Sequence, residues 1–241
     1  MNRLAAVMQA RHPGTTAYVS AWALEALMNI VLMSDRRVAA IPVADCGEPL
    51  VDVRGTLLVD DRRADPAGAF AHLRQGVLDR LLYAQSLLPE GLRLLFIEGY
   101  RPPDLQQQYF EQYADELRTA NPTWPHDQVH EAASRYVSPP EIAPHSAGAA
   151  VDLTLVDADG HELDMGTRVN ASPEESDGAC YTSANSISPQ ARTNRTTLAN
   201  ALSTAGLVNY ATEWWHWSHG DRYWALMAQQ PAALYGPRDL P

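Results

Sequence analysis

"AAVDLTLVDADGHELDMG", residues 149–166, alternates apolar and polar side chains through Val151, Asp152, Leu153, Thr154 and Leu155 and then reaches Asp159-Gly160. Alternation is the two-residue period of a strand, whereas an apolar helix face recurs every three or four positions. Asp-Gly is favoured where a tight turn needs positive φ, so the stretch predicts a hairpin with Asp152 in its first strand. A hairpin imposes antiparallel pairing, and the helices that flank it must then pack on a sheet rather than alternate with parallel strands. The expected class is α+β, an antiparallel sheet with helices packed on it.

Working outward, "LRLLFIEGYRPP" (92–103) is an apolar strand halted by Gly99 and Pro102-Pro103, and "DLQQQYFEQYADELRTA" (104–120) resumes helical spacing. "PAGAFAHLRQGVLDRLLYAQSLL" (66–88) sets Phe70, Leu73, Val77 and Leu81 on one helix face, with Gly91 as the stop. Residues 121–144 carry five prolines and predict a loop-rich crossing with a short helix near "HDQVHEAASRY" (126–136). Residues 166–188 are polar and predict a surface loop. Ser188-Pro189 caps a helix bearing Leu198, Ala201, Leu202 and Ala205 and ending at Gly206. "LVNYATEWWHWSHG" (207–220) reads as an aromatic strand, followed by a short helix from Asp221. Residues 17–33 look helical, so the chain divides into an N-terminal helical segment, 1–37, packed on a catalytic-size domain, 38–241.

The chain has 241 residues, 46% hydrophobic and 20% charged, which suits one folded core. A net charge of −11 with no Lys/Arg run opposes nucleic-acid binding. No apolar run reaches the roughly 18 residues of a membrane span, and with no leader-like segment the expectation is a cytoplasmic protein without membrane contact. Two cysteines, Cys46 and Cys180, predict neither a disulfide framework nor a cysteine zinc site.

His145 and Asp152 lie seven positions apart with Gly148 between them. Imidazole and carboxylate are zinc ligands, and an aspartate in an apolar strand needs its charge compensated. On their own the pair fits a turn and an ion pair as well as a metal. "TEWWHWSHG" (212–220) adds Glu213, His216 and His219, and both histidines compete for a ligand role. Strict alternation would send 213 and 216 to opposite faces, so the strand must bulge or turn if both serve one site.

"IEGYRPP", "HSAGAAVDLTL" and "EWWHW", in this order and at these separations, resemble the zinc D-alanyl-D-alanine dipeptidases of the vancomycin-resistance type, in the D,D-peptidase group that shares the hedgehog-domain fold. The likeness spans roughly residues 40–225. It implies His145, Asp152 and His216 as Zn2+ ligands, Glu213 as catalytic base and Arg101 beside the substrate as oxyanion stabiliser, with His219 outside the motif. The implied reaction is zinc-dependent hydrolysis of a dipeptide amide bond by activated water, on D-Ala-D-Ala or a related modified dipeptide. A D,D-carboxypeptidase, another zinc amidase, or a non-catalytic zinc module are the alternatives, and Glu213 argues against the last because a structural site needs no base. Two positions depart from the resemblance. Ala143 stands where the family has a serine that helps hold the substrate, and Asn170 stands where it has an aspartate facing the substrate ammonium. The oligomeric state is left open by the sequence.

Overall fold

The computed structural model describes residues 30–240. Most of the segment expected over 1–37, and the helix expected over 17–33 as far as residue 29, lie outside the described residues. From its described beginning the chain buries Met33 against Val38, Ile142, Tyr210 and Tyr223, with Val38 in a one-turn helix, α1 (Arg36–Ala39), capped by Asp35.

The elements that follow are β1 (Leu50–Asp52), β2 (Leu58–Val59), β3 (His72–Arg74), α2 (Gln75–Leu87), β4 (Arg93–Glu98), α3 (Pro103–Ala120), α4 (His126–Ala133), β5 (Ala150–Val156), α5 (Pro189–Thr204), β6 (Val208–Asn209), β7 (His216–Ser218) and α6 (Arg222–Met227). The main sheet has the order β2-β4-β5-β7-β6, and β1 pairs with β3 in a two-stranded sheet. Pairing in the main sheet is antiparallel except at one edge, where β2 runs parallel to β4. The class is α+β. Among the described residues no helix is long and apolar enough to cross a membrane.

One face of the sheet is dry. Leu94 and Phe96 of β4 and Val151, Leu153 and Leu155 of β5 join Val77, Leu78 and Leu81 of α2 and Leu198 and Leu202 of α5 in the main core. The opposite face carries Asp152 and Thr154, also buried. α3 and α4 pack on each other through Phe110, Tyr113, Ala114 and Leu117 against Val129, Ala132 and Ala133. α5 begins where Ser188 accepts a hydrogen bond from the Ala191 amide, with Pro189 at its first position.

The structure corrects three sequence expectations. The helix expected over 66–88 starts only at Gln75: Phe70 sits in a 3-10 turn, Ala69–Ala71, and Leu73 in β3. Both reach the core, but pairing of Asp52 with His72 and Leu50 with Arg74 takes this backbone from the helix, an instance of tertiary structure overriding spacing. The aromatic strand expected over 207–220 is two short strands, β6 and β7, joined by a turn through Tyr210 to Trp215. The hairpin after β5 turns at Asp157 to Gly160, yet its return is one bridge, Val156 to Glu162.

Candidate active site

The site forms where three strands put polar residues in one row. Asp152 of β5 pairs with Glu98 of β4 on one side and with His216 of β7 on the other, and residues directly opposite in adjacent antiparallel strands share a face. Glu98 reaches that row through an irregularity. The register slips between Phe96, opposite Leu153, and Glu98, opposite Asp152, so a β-bulge turns the carboxylate rather than Ile97 toward the site.

His145 arrives from the proline-rich crossing in a 3-10 turn, His145–Ala147. Gly148 closes that turn at φ 65° with its N–H donated to the His145 carbonyl, a conformation open to glycine at little steric cost. The neighbouring strand end fixes the ring: Nδ1 of His145 lies 2.6 Å from the Gly99 carbonyl. A carbonyl only accepts, so Nδ1 carries the proton and Nε2 presents its lone pair to the site. The Arg101 amide donates to the His145 carbonyl and the Ser146 hydroxyl donates to the Arg101 carbonyl, stitching the two motifs together.

Three donor atoms then converge. Nε2 of His145 is 3.2 Å from Nδ1 of His216, which is 3.1 Å from Oδ1 of Asp152, and the third side of the triangle is 3.4 Å. Ligands about 2.0–2.1 Å from a tetrahedral zinc stand about 3.3 Å apart, so the triangle has the size of one tetrahedral face. All three side chains are buried, and they form a group of His and Asp that could hold a metal ion. Burial alone would raise the Asp152 carboxyl, but the two imidazoles against it hold it well below the usual carboxylate range. A second cluster, Asp157, Asp159 and His161, lies at the exposed hairpin turn.

The β6–β7 turn delivers Glu213. Its amide donates to the Tyr210 carbonyl, and its carbonyl accepts from the His216 amide and from Nδ2 of Asn209. The turn resolves the alternation problem: 213 and 216 are not in one strand, and Oε2 of Glu213 lies 3.7 Å from Nδ1 of His216. Trp215 is fully buried, Trp214 donates to Thr167, and Trp217 donates to the Trp214 carbonyl, so the aromatic residues anchor the turn. Burial, and then the Asp152 charge, push the Glu213 carboxyl well above its ordinary range against the pull of Arg101.

Arg101 is buried and held from three sides. Its Nε and Nη2 donate to the two carboxylate oxygens of Glu98 at 2.8 Å each, Nη1 donates to Gln106 at 2.8 Å, and the guanidinium lies 5.0 Å from the Tyr109 ring centre. Burial would raise the Glu98 carboxyl, but Arg101 outweighs it and keeps the group ionised. Three of the five guanidinium N–H groups are spent on this frame, leaving two for a ligand.

These groups open into a cavity of about 280 Å³ lined also by Arg63, Tyr109, Tyr113, Tyr136 and Asn170, at the low end of small-molecule sites. Asn170 has φ 60°, and its backbone carbonyl is pinned by the Tyr136 hydroxyl at 3.0 Å and by Arg168 at 2.8 Å. Ala143 is buried beside the 3-10 turn. His219 lies apart, with Nδ1 2.9 Å from the Gly206 carbonyl and its ring 4.4 Å from that of Trp224. Cys46 is exposed and Cys180 buried, and neither is bridged.

Sequence reading reached His145, Asp152, Glu213, His216 and Arg101 and missed the frame around them. Glu98, Gln106 and Tyr109 carried one faint signal, a carboxylate closing an apolar strand just before a glycine.

Two imidazoles and a carboxylate converging at a sheet face, with a second carboxylate beside them whose pKa is raised, are the equipment of a metal-dependent hydrolase. Comparison with known proteins narrows that class. The Peptidase_M15 family, described as D-ala-D-ala dipeptidase, matches residues 69–233, and the chain belongs to this family of metallopeptidases. A D-alanyl-D-alanine dipeptidase of Synechocystis sp. is 28% identical over 221 residues, 79% of this chain and 90% of that protein. One of Enterococcus faecium is 34% identical over 145 residues, 58% of this chain and 68% of its own length. The solved structure of VanYB in complex with D-alanine-D-alanine aligns over 83% of this chain and 96% of that one at 14% identity, with a TM-score of 0.43.

Proposed function

We propose that the protein is a zinc dipeptidase that cleaves D-Ala-D-Ala or a close relative of it, with His145, Asp152 and His216 holding the ion. The triangle of donor atoms, with sides of 3.1 to 3.4 Å, carries this reading. Two neutral nitrogens and one carboxylate suit zinc and leave a fourth position open. A zinc ion held there supplies a Lewis acid for the scissile carbonyl and lowers the pKa of the attacking water.

The chain's own groups supply the rest. Glu213, beside the ligand set and raised in pKa, takes the proton of the attacking water and passes it to the leaving amine. Arg101, with two N–H groups uncommitted, meets the negative charge that develops on the carbonyl oxygen. Glu98 and Gln106 hold that guanidinium in place, so its charge is pre-aimed before substrate arrives.

Asn170 favours a second substrate within the same reaction. A neutral amide lines the cavity where the resemblance leads one to expect a carboxylate, and a lost charge-assisted hydrogen bond weakens ammonium binding by about 1.5–3 kcal/mol. Dipeptides with a masked or enlarged N-terminal residue are therefore accepted alongside the free one. A panel of D,D-, L,D- and L,L-dipeptides, each free and N-acetylated, tests both statements with the zinc-loaded chain. Release of D-alanine from D,D-dipeptides in both forms is expected. Equal cleavage of L,L-dipeptides would remove the D,D assignment, and failure on every N-acetylated form would remove the role given to Asn170.

A further inference from the structure

Arg63 is a charged side chain of the cavity that the proposed reaction leaves unused. It follows β2 at the parallel edge of the sheet, outside the three motifs, and about a third of its side chain is exposed (32%) where it lines the cavity. Its Nε donates to Oε2 of Glu98 at 3.2 Å, the oxygen that also accepts from Nη2 of Arg101 at 2.8 Å. The two guanidinium groups lie 5.1 and 5.0 Å from the centre of one ring, that of Tyr109. Two cations thus flank Glu98 and share one of its oxygens. Among the described residues the Nη groups of Arg63 have no hydrogen-bond partner, so a forked donor faces the cavity unspent.

A dipeptide presents two oxygen acceptors close together. Its scissile carbonyl and its terminal carboxylate are separated by one residue, about 3.8 Å of chain. If Arg101 stands at the carbonyl oxygen, the next cation along is Arg63, on the same Glu98 oxygen. A planar guanidinium with two free Nη groups suits a carboxylate's paired oxygens better than a point charge does. The other charged residue lining the cavity away from the ligand row is Glu116, which would repel that carboxylate.

We propose that Arg63 is the receptor for the free C-terminal carboxylate of the substrate, braced by Glu98, and that it makes the enzyme select peptides ending one residue past the cleaved bond. This rests on the dipeptidase reading above.

The test compares D-Ala-D-Ala with its C-terminal amide on the zinc-loaded full chain, in the unmodified protein, Arg63→Gln and Arg63→Lys. Glu98 keeps both bonds to Arg101 in these variants, and a thermal midpoint checks the fold. In Arg63→Gln the KM for the acid is expected to rise about 10- to 100-fold, the effect of losing one charge-assisted pair. The KM for the amide should change several-fold less, kcat for the acid should stay within about threefold, and Arg63→Lys should recover part of the loss. An unchanged acid-to-amide ratio overturns the assignment, as does an equal fall of kcat on both substrates, which would mean that Arg63 only steadies Arg101 through Glu98. An unmodified, zinc-loaded protein that cleaves neither peptide removes the dipeptidase reading itself, and the carboxylate assignment with it.

Discussion

Gly99 shows how one residue couples fold and site. A β-carbon there would stand 2.5 Å from the His72 carbonyl oxygen and 2.8 Å from the Phe96 ring, contacts that backbone cannot yield to without moving β3. Its own carbonyl fixes the His145 ring. Gly99→Ala is therefore expected to cost about 1–3 kcal/mol from overpacking and to weaken zinc binding about 10- to 100-fold, as loss of a partner behind a ligand does. Competition against a zinc-binding dye and a urea unfolding midpoint check the two effects, and unchanged affinity would mean that the Gly99 carbonyl does not orient His145. At this scale the sequence was informative where chemistry sits in short motifs: His145, Arg101, Glu213 and His216 each adjoin a proline or tryptophan, and Asp152 is the one charge within an apolar strand. Glu98 was barely legible, because strand alternation does not reveal the bulge that puts it opposite Asp152 instead of Ile97. Arg63 was not legible, since its relation to Arg101 runs through Glu98 and the Tyr109 ring, both distant in sequence.

Among the elements, those with strong local signals matched expectation. α5 has its serine cap and first-turn proline, and α3 its periodic apolar face. Elements decided by distant pairing did not, as the late start of α2 shows: β3 exists because β1 is there to pair with it. The polar loop 166–188 is the instructive case, since composition predicts a loop and says nothing of what holds it. Arg195 of α5 holds it, donating to the carbonyls of Met165, Tyr181 and Ala179 at 2.7, 2.7 and 2.8 Å, with its guanidinium 5.4 Å from the Trp214 ring. Burial lowers its pKa to about 10, which leaves it charged at neutral pH. Arg195→Leu strands three carbonyls and is expected to cost about 2–4 kcal/mol in urea unfolding. Limited proteolysis should then cut within 172–186 while the strands survive. A variant that resists protease as the unmodified chain does would contradict this role for Arg195.

For the molecule as a whole, the sheet divides labour between its faces: a dry one packs α2 and α5, and a polar one carries Glu98, Asp152 and His216 in line. The bulge in β4, the turn between β6 and β7, and the 3-10 turn at His145 are the irregularities that bring Glu98, Glu213 and His145 to that row. The family match over 69–233 includes all five residues singled out from the sequence motifs. The chain carries a net charge of −11, and the cavity sets the guanidinium groups of Arg63 and Arg101 near the carboxylates of Asp152 and Glu213. The decisive measurement is D-alanine release from D-Ala-D-Ala by the full chain, made after chelation, after zinc is returned, and in zinc-loaded Glu213→Gln. No release is expected after chelation, and recovery is expected when zinc is returned. The variant should hold as much zinc as the unmodified chain while its kcat is about 100- to 10,000-fold lower. Full zinc content with undiminished turnover in Glu213→Gln, or full activity of the zinc-free chain, would contradict this mechanism.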